Sequence, residues 1–298
     1  MTVTINGTTG LITAGSSSSG GGGVASNTAL GGDALVANTT GASNTAIGNE
    51  ALDSNTTADN NTAVGYQSLY TNSTGQGNTA LGRRAMYLNT TASDNTAIGN
   101  QALYYNTTGT ANVAIGQNAL VQNTTASDNT AVGYQALYTN ATGTAVTALG
   151  YKAGYASTGS VSVYVGFNCG VAATGSSNTF IGSGSGEAVT SGAKNTIVGR
   201  FNGNQNSKDI RTSSNNIVLS DGDGNVPLIC TSPDNAIWQF NAKAAGAYAG
   251  ILQFCVDFAL KSEVYHDDAL DRFTIQNDSG GVYLASGGTS WTSMSDES

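Results

Sequence analysis

The sequence predicts an all-β chain: a parallel β-roll or β-solenoid of about eleven 17-residue coils, a non-repetitive β-rich C-terminal domain after it, and assembly as a homo-oligomer. Three observations carry this. A five-residue phrase returns at a fixed interval. Only 10% of the 298 residues are charged, while glycine numbers 40 and proline 2. The repeated phrase is apolar on both faces of a strand.

Composition first excludes other classes. Charged residues ordinarily make up about a quarter of a globular chain. A collagen would place glycine at every third residue, and a disordered chain would carry more charge. With Lys plus Arg at 10 and Asp plus Glu at 19, the net charge is −9. That balance argues against a nucleic-acid partner, which needs a basic face. Arg83-Arg84 is the only basic doublet. Cys169, Cys230 and Cys255 are odd in number and lack CxxC spacing, so each is expected to be a small buried residue. His266 is the only histidine, so a zinc site lacks ligands. No metal and no cofactor is expected.

Residues 1–26 read as a short β segment, Thr2 to Ile12, and a flexible linker, Gly15 to Gly23. No basic and apolar secretion leader is read there. The most apolar stretch, Ala244 to Leu260, is interrupted by Gln253 and Asp257, so no membrane insertion is expected.

Residues 27–205 form the repeat domain. Asn-Thr-Ala-(Ile/Val/Leu)-Gly begins at Asn27, Asn44, Asn61, Asn78 and Asn95, and returns in variant form at Asn112, Asn129 and Val146. Its closing glycines run from Gly31 to Gly150 at intervals of 17, then to Gly166 and Gly182 at 16 and Gly199 at 17. A second phrase, seen in Asn100-Gln-Ala-Leu-Tyr-Tyr-Asn106, ends in a polar corner repeated at Asn38, Asn55, Asn72, Asn89, Asn106, Asn123 and Asn140. One period therefore reads as strand, glycine turn, second short strand, polar turn. That is one coil of a solenoid, too short for a helix pair or a propeller blade. Coils stack about 4.8 Å apart, so equivalent residues form ladders, and eleven coils reach roughly 50 Å. Asparagine ladders pass amide hydrogen bonds from coil to coil. In Thr-Ala-Ile-Gly, Ala and its bulky neighbour point to opposite faces. One face lines the coil, and the other is expected to pack on a second chain.

Residues 206–298 read as a separate β-rich tip. Asn216 to Val226 predicts a strand, a tight turn and a second strand. Asp221, Asp223 and Asn225 superficially resemble a calcium loop, but the closing acid is missing, and a plain hairpin turn is preferred. Further strands are expected at Ile237 to Phe240, Ile251 to Val256, Phe273 to Gln276 and Val282 to Leu284. His266, Asp267, Asp268 and Asp271 read as a solvated surface loop.

On these residues the sequence resembles known families. Asn-Thr-Ala-Ile-Gly at fixed spacing resembles the head repeat of trimeric autotransporter adhesins, whose Asn-Ser-Val-Ala-Ile-Gly phrase builds a left-handed parallel β-roll trimer. The form Asn129-Thr-Ala-Val-Gly-Tyr-Gln-Ala-Leu-Tyr-Thr-Asn140 is similar to repeats in phage tail-fibre proteins, especially marine ones. The resemblance spans about residues 27–200. An adhesin needs a secretion signal and a membrane anchor, neither of which is read here; a phage fibre, released by lysis, needs neither. The resemblance therefore implies a non-enzymatic, structural trimeric fibre of a bacteriophage tail. It would sit in the virion and be extracellular after lysis. Its partners would be itself, other virion tail proteins and a host cell-surface glycan or protein. The alternatives are a trimeric autotransporter adhesin, an ice-binding solenoid or a polysaccharide depolymerase.

The last residues, Gly287 to Ser298, resemble the junction before the self-cleaving intramolecular chaperone of many phage fibres. Ser295-Asp296 matches the start of that family's Ser-Asp-x-Arg-x-Lys phrase, and Ser298 stands where Arg belongs. The resemblance marks Ser295 and Asp296 as a former processing junction, in a chain close to a processed product or a shortened form of it.

No catalytic constellation emerges: carboxylate pairs such as Glu50 with Asp53 do not recur in other coils. The binding candidates are aromatic. Tyr70, Tyr87, Tyr104, Tyr138 and Tyr155 share one coil position, which Val121 interrupts. Such a row either offers sugar-binding faces with hydroxyl tips or stacks on itself as structure, and the second is preferred. Tyr265 and Trp291, in the tip, are the other candidates. The repeated Asn-Thr-Thr corners form a threonine ladder of the kind an ice-binding solenoid uses, but they sit in turns.

Overall fold

The computed structural model describes residues 26–205 and 207–230 with their side chains, and outside them the backbone of the strands named below. The chain divides into two units, Met1–Val226 with Cys230–Ile237, and Pro227–Ile229 with Trp238–Ser298.

The first unit is a parallel β-solenoid. Its strands are three residues each: Thr28–Leu30, Thr45–Ile47, Thr62–Val64, Thr79–Leu81, Thr96–Ile98 and Val113–Ile115. Thr130–Val132, Thr147–Leu149, Val163–Val165, Thr179–Ile181 and Thr196–Val198 continue the stack. Each pairs in parallel with the next, so that Ala29, Ala46, Ala63 and Ala80 lie in one row. These are the eleven coils the periodicity predicts.

A twelfth strand extends the ladder. Ile217–Leu219 pairs in parallel with Thr196–Val198, Val218 opposite Ile197. The step is 21 residues and contains a small antiparallel pair, Asn204–Gln205 with Lys208–Asp209. The sequence reading ends the roll at 205 because Ser220 replaces the closing glycine and the spacing breaks there. The predicted turn after this strand is present, and the next strand begins at Leu228.

Each coil holds one strand, where the sequence predicts two. The Ala-Leu phrase is a turn with alternating backbone handedness: Glu50 has φ 56 and Leu52 φ 52, and the same pair recurs at Gln101 and Leu103. Its polar groups still bond along the coil axis, Leu52 N–H to Ser68 O at 3.0 Å and Gln67 N–H to Asn49 O at 3.0 Å. A left-handed leucine costs roughly 1–2 kcal/mol. Complete burial of its side chain returns roughly 1.5–3 kcal/mol, and Leu52, Leu69, Leu103, Leu120 and Leu137 are all fully buried. Burial wins, so a strained leucine, or Met86 in one coil, persists through the regular coils.

The closing glycine is required by its neighbour above. Gly99 has φ +138, and a Cβ there would lie 2.6 Å from the carbonyl oxygen of Gly116 in the next coil.

Two asparagine ladders run inside the stack. In the corner ladder, Nδ2 of Asn72 donates to Asn55 Oδ1 at 3.1 Å, and Nδ2 of Asn89 to Asn72 Oδ1 at 2.8 Å. In the strand-leading ladder the backbone N–H of Asn61 donates to Asn44 Oδ1 at 2.9 Å, and that of Asn112 to Asn95 Oδ1 at 2.9 Å. The two ladders share acceptors: Asn95 Nδ2 and Asn106 Nδ2 both donate to Gly109 O at 2.9 Å. Replacing Asn95 by alanine strands the Asn112 N–H in a buried site. The expected loss is about 1–3 kcal/mol, read as a lower urea midpoint with unchanged far-UV circular dichroism. The corner ladder stops at Asn123, whose Oδ1 is buried without a partner; at Asn140 the side chain closes on its own turn, with Oδ1 accepting the Gly143 N–H at 2.8 Å.

The interior changes character midway. Up to the seventh coil a strand alanine faces a turn leucine or methionine. Then the sizes exchange: Tyr164 and Phe180 take the strand position, fully buried, and Gly154, Gly170 and Gly186 take the turn position at φ +60, +60 and +62. The two rings meet at 5.7 Å, and the Tyr164 hydroxyl receives a 3.1 Å hydrogen bond from Ser157 Oγ. Cys169, just before Gly170, donates from Sγ to Phe180 O at 3.2 Å.

Among the remaining strands, Thr4–Ile5 pairs antiparallel with Ile12–Thr13. In the second unit Leu252–Val256 pairs with Ala259–Asp267, which pairs with Arg272–Asn277, and Val282–Leu284 pairs with Thr292–Met294, all antiparallel. Four of the sequence-predicted strands are thus present, Ile237–Phe240 included. His266 and Asp267 correct the sequence reading: they lie in a strand, with His266 opposite Phe273, not in a loop. A polar run satisfies an antiparallel ladder through its backbone as well as an apolar one does.

Candidate interaction surface

The Thr-Ala-Ile strand settles which side chain goes where. Ala46 is buried inside the coil, and Ile47 points outward, 37% exposed. The outward aliphatic column runs through the whole roll: Leu30, Ile47, Val64, Leu81, Ile98, Ile115, Val132, Leu149, Val165, Ile181, Val198 and Leu219. Leu81 and Leu149 are 46% and 48% exposed. The residue two places earlier lies on the same face; it is threonine in most strands and Val113, Val163 or Ile217 in the others, so the outer side carries mainly Thr-x-aliphatic rungs. An apolar column of this length in contact with water is unusual for a monomer.

The corner threonines have a different task. Thr56 Oγ1 donates to Ser73 O at 3.2 Å and Thr107 Oγ1 to Thr124 O at 3.0 Å, one coil on. Their hydroxyls hold neighbouring coils together, which removes support from an ice-binding reading of the corner ladder.

The predicted tyrosine row stacks on itself. Tyr70 and Tyr87 lie 5.1 Å apart at 4°, Tyr87 and Tyr104 5.1 Å at 12°, and Tyr138 and Tyr155 5.1 Å at 7°. Val121, buried, fills the gap. A second aromatic column, which the sequence reading missed, lies directly after the closing glycine: Tyr66, Tyr134, Tyr151 and Phe167. Tyr134 and Tyr151 stack at 5.3 Å, and Tyr151 and Phe167 at 5.1 Å. The signal was present in Gly65-Tyr66, Gly133-Tyr134, Gly150-Tyr151 and Gly166-Phe167. These rings are the more open ones: Tyr66 is 40% exposed and Phe167 54%.

Between the columns lies a polar row. Gln67 Nε2 donates to Glu50 Oε2 at 2.6 Å, and Arg84 Nε donates to Gln67 Oε1 at 2.8 Å. Near its start, partial burial raises the Asp53 carboxyl above the usual carboxylate range, opposed by a hydrogen bond from Ser54 and aided by Glu50 and Asp33. The charge of Asp53 in turn raises the Tyr70 hydroxyl.

The acidic turn after the twelfth strand is closed by its own groups. Asp221 accepts from the N–H of Asp223 at 3.0 Å, the N–H of Asn225 at 2.9 Å and Asn225 Nδ2 at 2.8 Å. The Asn225 side chain leads in lowering its carboxyl pKa. Arg211 similarly holds Asp209 at about 2 through a 2.7 Å pair.

Both described cysteines, Cys169 and Cys230, are free and buried. Burial pushes the Cys169 thiol up to about 12. A thiol whose folded pKa is raised favours the native state below its unfolded value, about 8.5, and that contribution is lost as pH climbs toward 12. In a Cys255→Ser background, native protein at pH 8 should leave a thiol-exchange reagent unreacted. Two equivalents should appear on adding denaturant.

Tyr265 lies in the strand Ala259–Asp267, and only its backbone is described. Trp291, Ser295 and Asp296 lie outside the described residues. Among the described residues no cluster of three His, Cys, Asp or Glu side chains could hold a metal ion. Among them, too, no helix is long and apolar enough to cross a membrane.

Fold and surface together define a parallel β-solenoid repeat protein with ladders on its outside. No family model matches the sequence, and no curated protein or solved structure matches it either.

Proposed function

We propose that the chain is a structural component of a bacteriophage tail fibre. It would assemble as a homotrimer through the outer faces of its rolls, project from the virion and attach to the host surface. The observation that carries this reading is the outward aliphatic column, one apolar side chain on every rung from Leu30 to Leu219. A column spanning every coil is covered most simply by the same column of a parallel copy, since identical repeats match rung for rung. The Asn-Thr-Ala-Ile-Gly resemblance supplies the trimer and the phage setting. In this reading the roll is a stiff spacer, and three copies give avidity.

Light scattering on the native protein, beside an unheated detergent gel, tests the assembly. A trimeric mass that persists in the gel is the expected result, and a monomer overturns the reading. Binding of the labelled trimer to whole bacterial cells then tests attachment.

A further inference from the structure

Positive charge is placed twice between the aromatic columns, in the same way. Arg84 Cζ lies 5.9 Å from the Tyr66 ring centroid and 5.5 Å from that of Tyr87, and Arg83 Cζ lies 6.0 Å from Tyr66. Further along, Lys152 Nζ lies 5.4 Å from both the Tyr151 and the Tyr155 rings. Positions 84 and 152 are the same site in the repeat, four periods apart. On the usual coil spacing they stand about 19 Å from one another. The row between them holds Gln101, Asn118 and Gln135, all uncharged.

None of the three cations has an acidic partner: the single ion pair among the described residues is Arg211 with Asp209. The Gln67 side chain takes the Arg84 Nε and so orients the guanidinium, whose two terminal nitrogens have no acceptor in the roll. Unpaired guanidinium and ammonium groups on a chain of net charge −9 are a selective feature. A guanidinium fork suits a carboxylate, and the Tyr66 ring, which lies outside the stacked run, suits the apolar face of a sugar ring, while Tyr151, stacked on both sides, offers its edge and hydroxyl.

We propose that this stripe binds a linear acidic polysaccharide lying along the roll. One sugar carboxylate would meet Arg83 and Arg84 beside Tyr66, and a later one Lys152 beside Tyr151. The rigid ladder fixes the separation, so a long chain engaging both positions gains avidity that a single sugar cannot. This deepens the proposed host-surface role by naming the class of glycan, yet it rests on the surface of one roll.

The test uses the full chain with polygalacturonate, hyaluronate and, as a neutral control, dextran, measured by calorimetry at two salt concentrations. Binding to an acidic polymer, weakened by salt, with none to dextran, is expected. Arg83→Gln with Arg84→Gln should lower that affinity about tenfold or more, and so should Lys152→Gln, while monomeric galacturonate binds weakly throughout. Equal binding to dextran, no binding to either acidic polymer, or affinity unchanged in both variants overturns the inference. Native mass is read on the same samples. A trimer that binds no acidic polymer sinks this inference alone, and a monomer that binds one sinks the fibre assembly alone.

Discussion

Replacing Gly170 by leucine should destabilise the roll by about 3 kcal/mol or more. Replacing Tyr164 by alanine should cost about 3–5 kcal/mol. Making both changes together should recover most of the loss. The reason lies in the exchange of sizes along the interior. A Cβ at Gly170 would press on the Tyr164 ring, 2.6 Å from Cε1, so any side chain there collides with a fully buried aromatic. Tyr164→Ala alone leaves a void in the row that carries Phe180 above it. The double variant restores the alanine and leucine of the coil at Ala131 and Leu137, where leucine occupies the same left-handed backbone at φ 51. Urea denaturation of the four proteins at one chain concentration gives the coupling energy. Additive losses would show that the two positions do not share one interior space.

The second large effect concerns assembly. Leu81→Asp with Leu149→Asp should convert the trimer to a monomer while circular dichroism stays unchanged. Both side chains are nearly half exposed in a single roll, at 46% and 48%, so neither change should disturb one chain by more than about 0.5 kcal/mol. In the proposed trimer every such aspartate would be buried without a partner and repeated three times at one level. Breaking a buried site in this way costs several kcal/mol per group. Thr125→Asp, at an exposed corner outside the hydrogen-bond network, is the control and should keep the native mass. A Leu81→Asp, Leu149→Asp protein that remains trimeric would place the interface elsewhere.

Much of the roll was legible in the sequence because its physics is local and repeated. The interval from Gly31 to Gly150 sets the coil, and the asparagines at 44, 61, 78 and 95 fall where backbone N–H groups need an acceptor. The conformation of the Ala-Leu phrase was not legible. Leucine has no preference for positive φ, and only the buried space above Ala51 and Leu52 favours it there. The direction of Ala46 and Ile47 was also hidden, since alternation assigns them to opposite faces without saying which is inside. Interior width decides it: the turn leucine already fills the coil, so the strand contributes alanine. Where that leucine becomes glycine, at Gly170 and Gly186, the strand supplies Tyr164 and Phe180. The second aromatic column was readable after each closing glycine but was overlooked beside the more regular row at Tyr70. Lys152 and Arg84 gain meaning only when two columns are seen on either side of them.

The exchange of sizes at Tyr164 bears on how a uniform stack finds its place. Seven successive intervals of 17 residues mean that a slip of one whole coil lays alanine on alanine and asparagine on asparagine. Such an error would be nearly silent in the first half of the roll, because each pairing that breaks is replaced by its twin. It cannot pass the later coils. A slip of one coil would set the Tyr164 ring over Leu137, whose Cδ2 already stands 2.7 Å from where a Cβ on Gly154 would lie. Two steps of 16 residues and one of 21 then throw every following turn out of phase. The irregular coils act as a single notch on an otherwise featureless thread: the whole stack takes its alignment from them, and that alignment has to be decided only once.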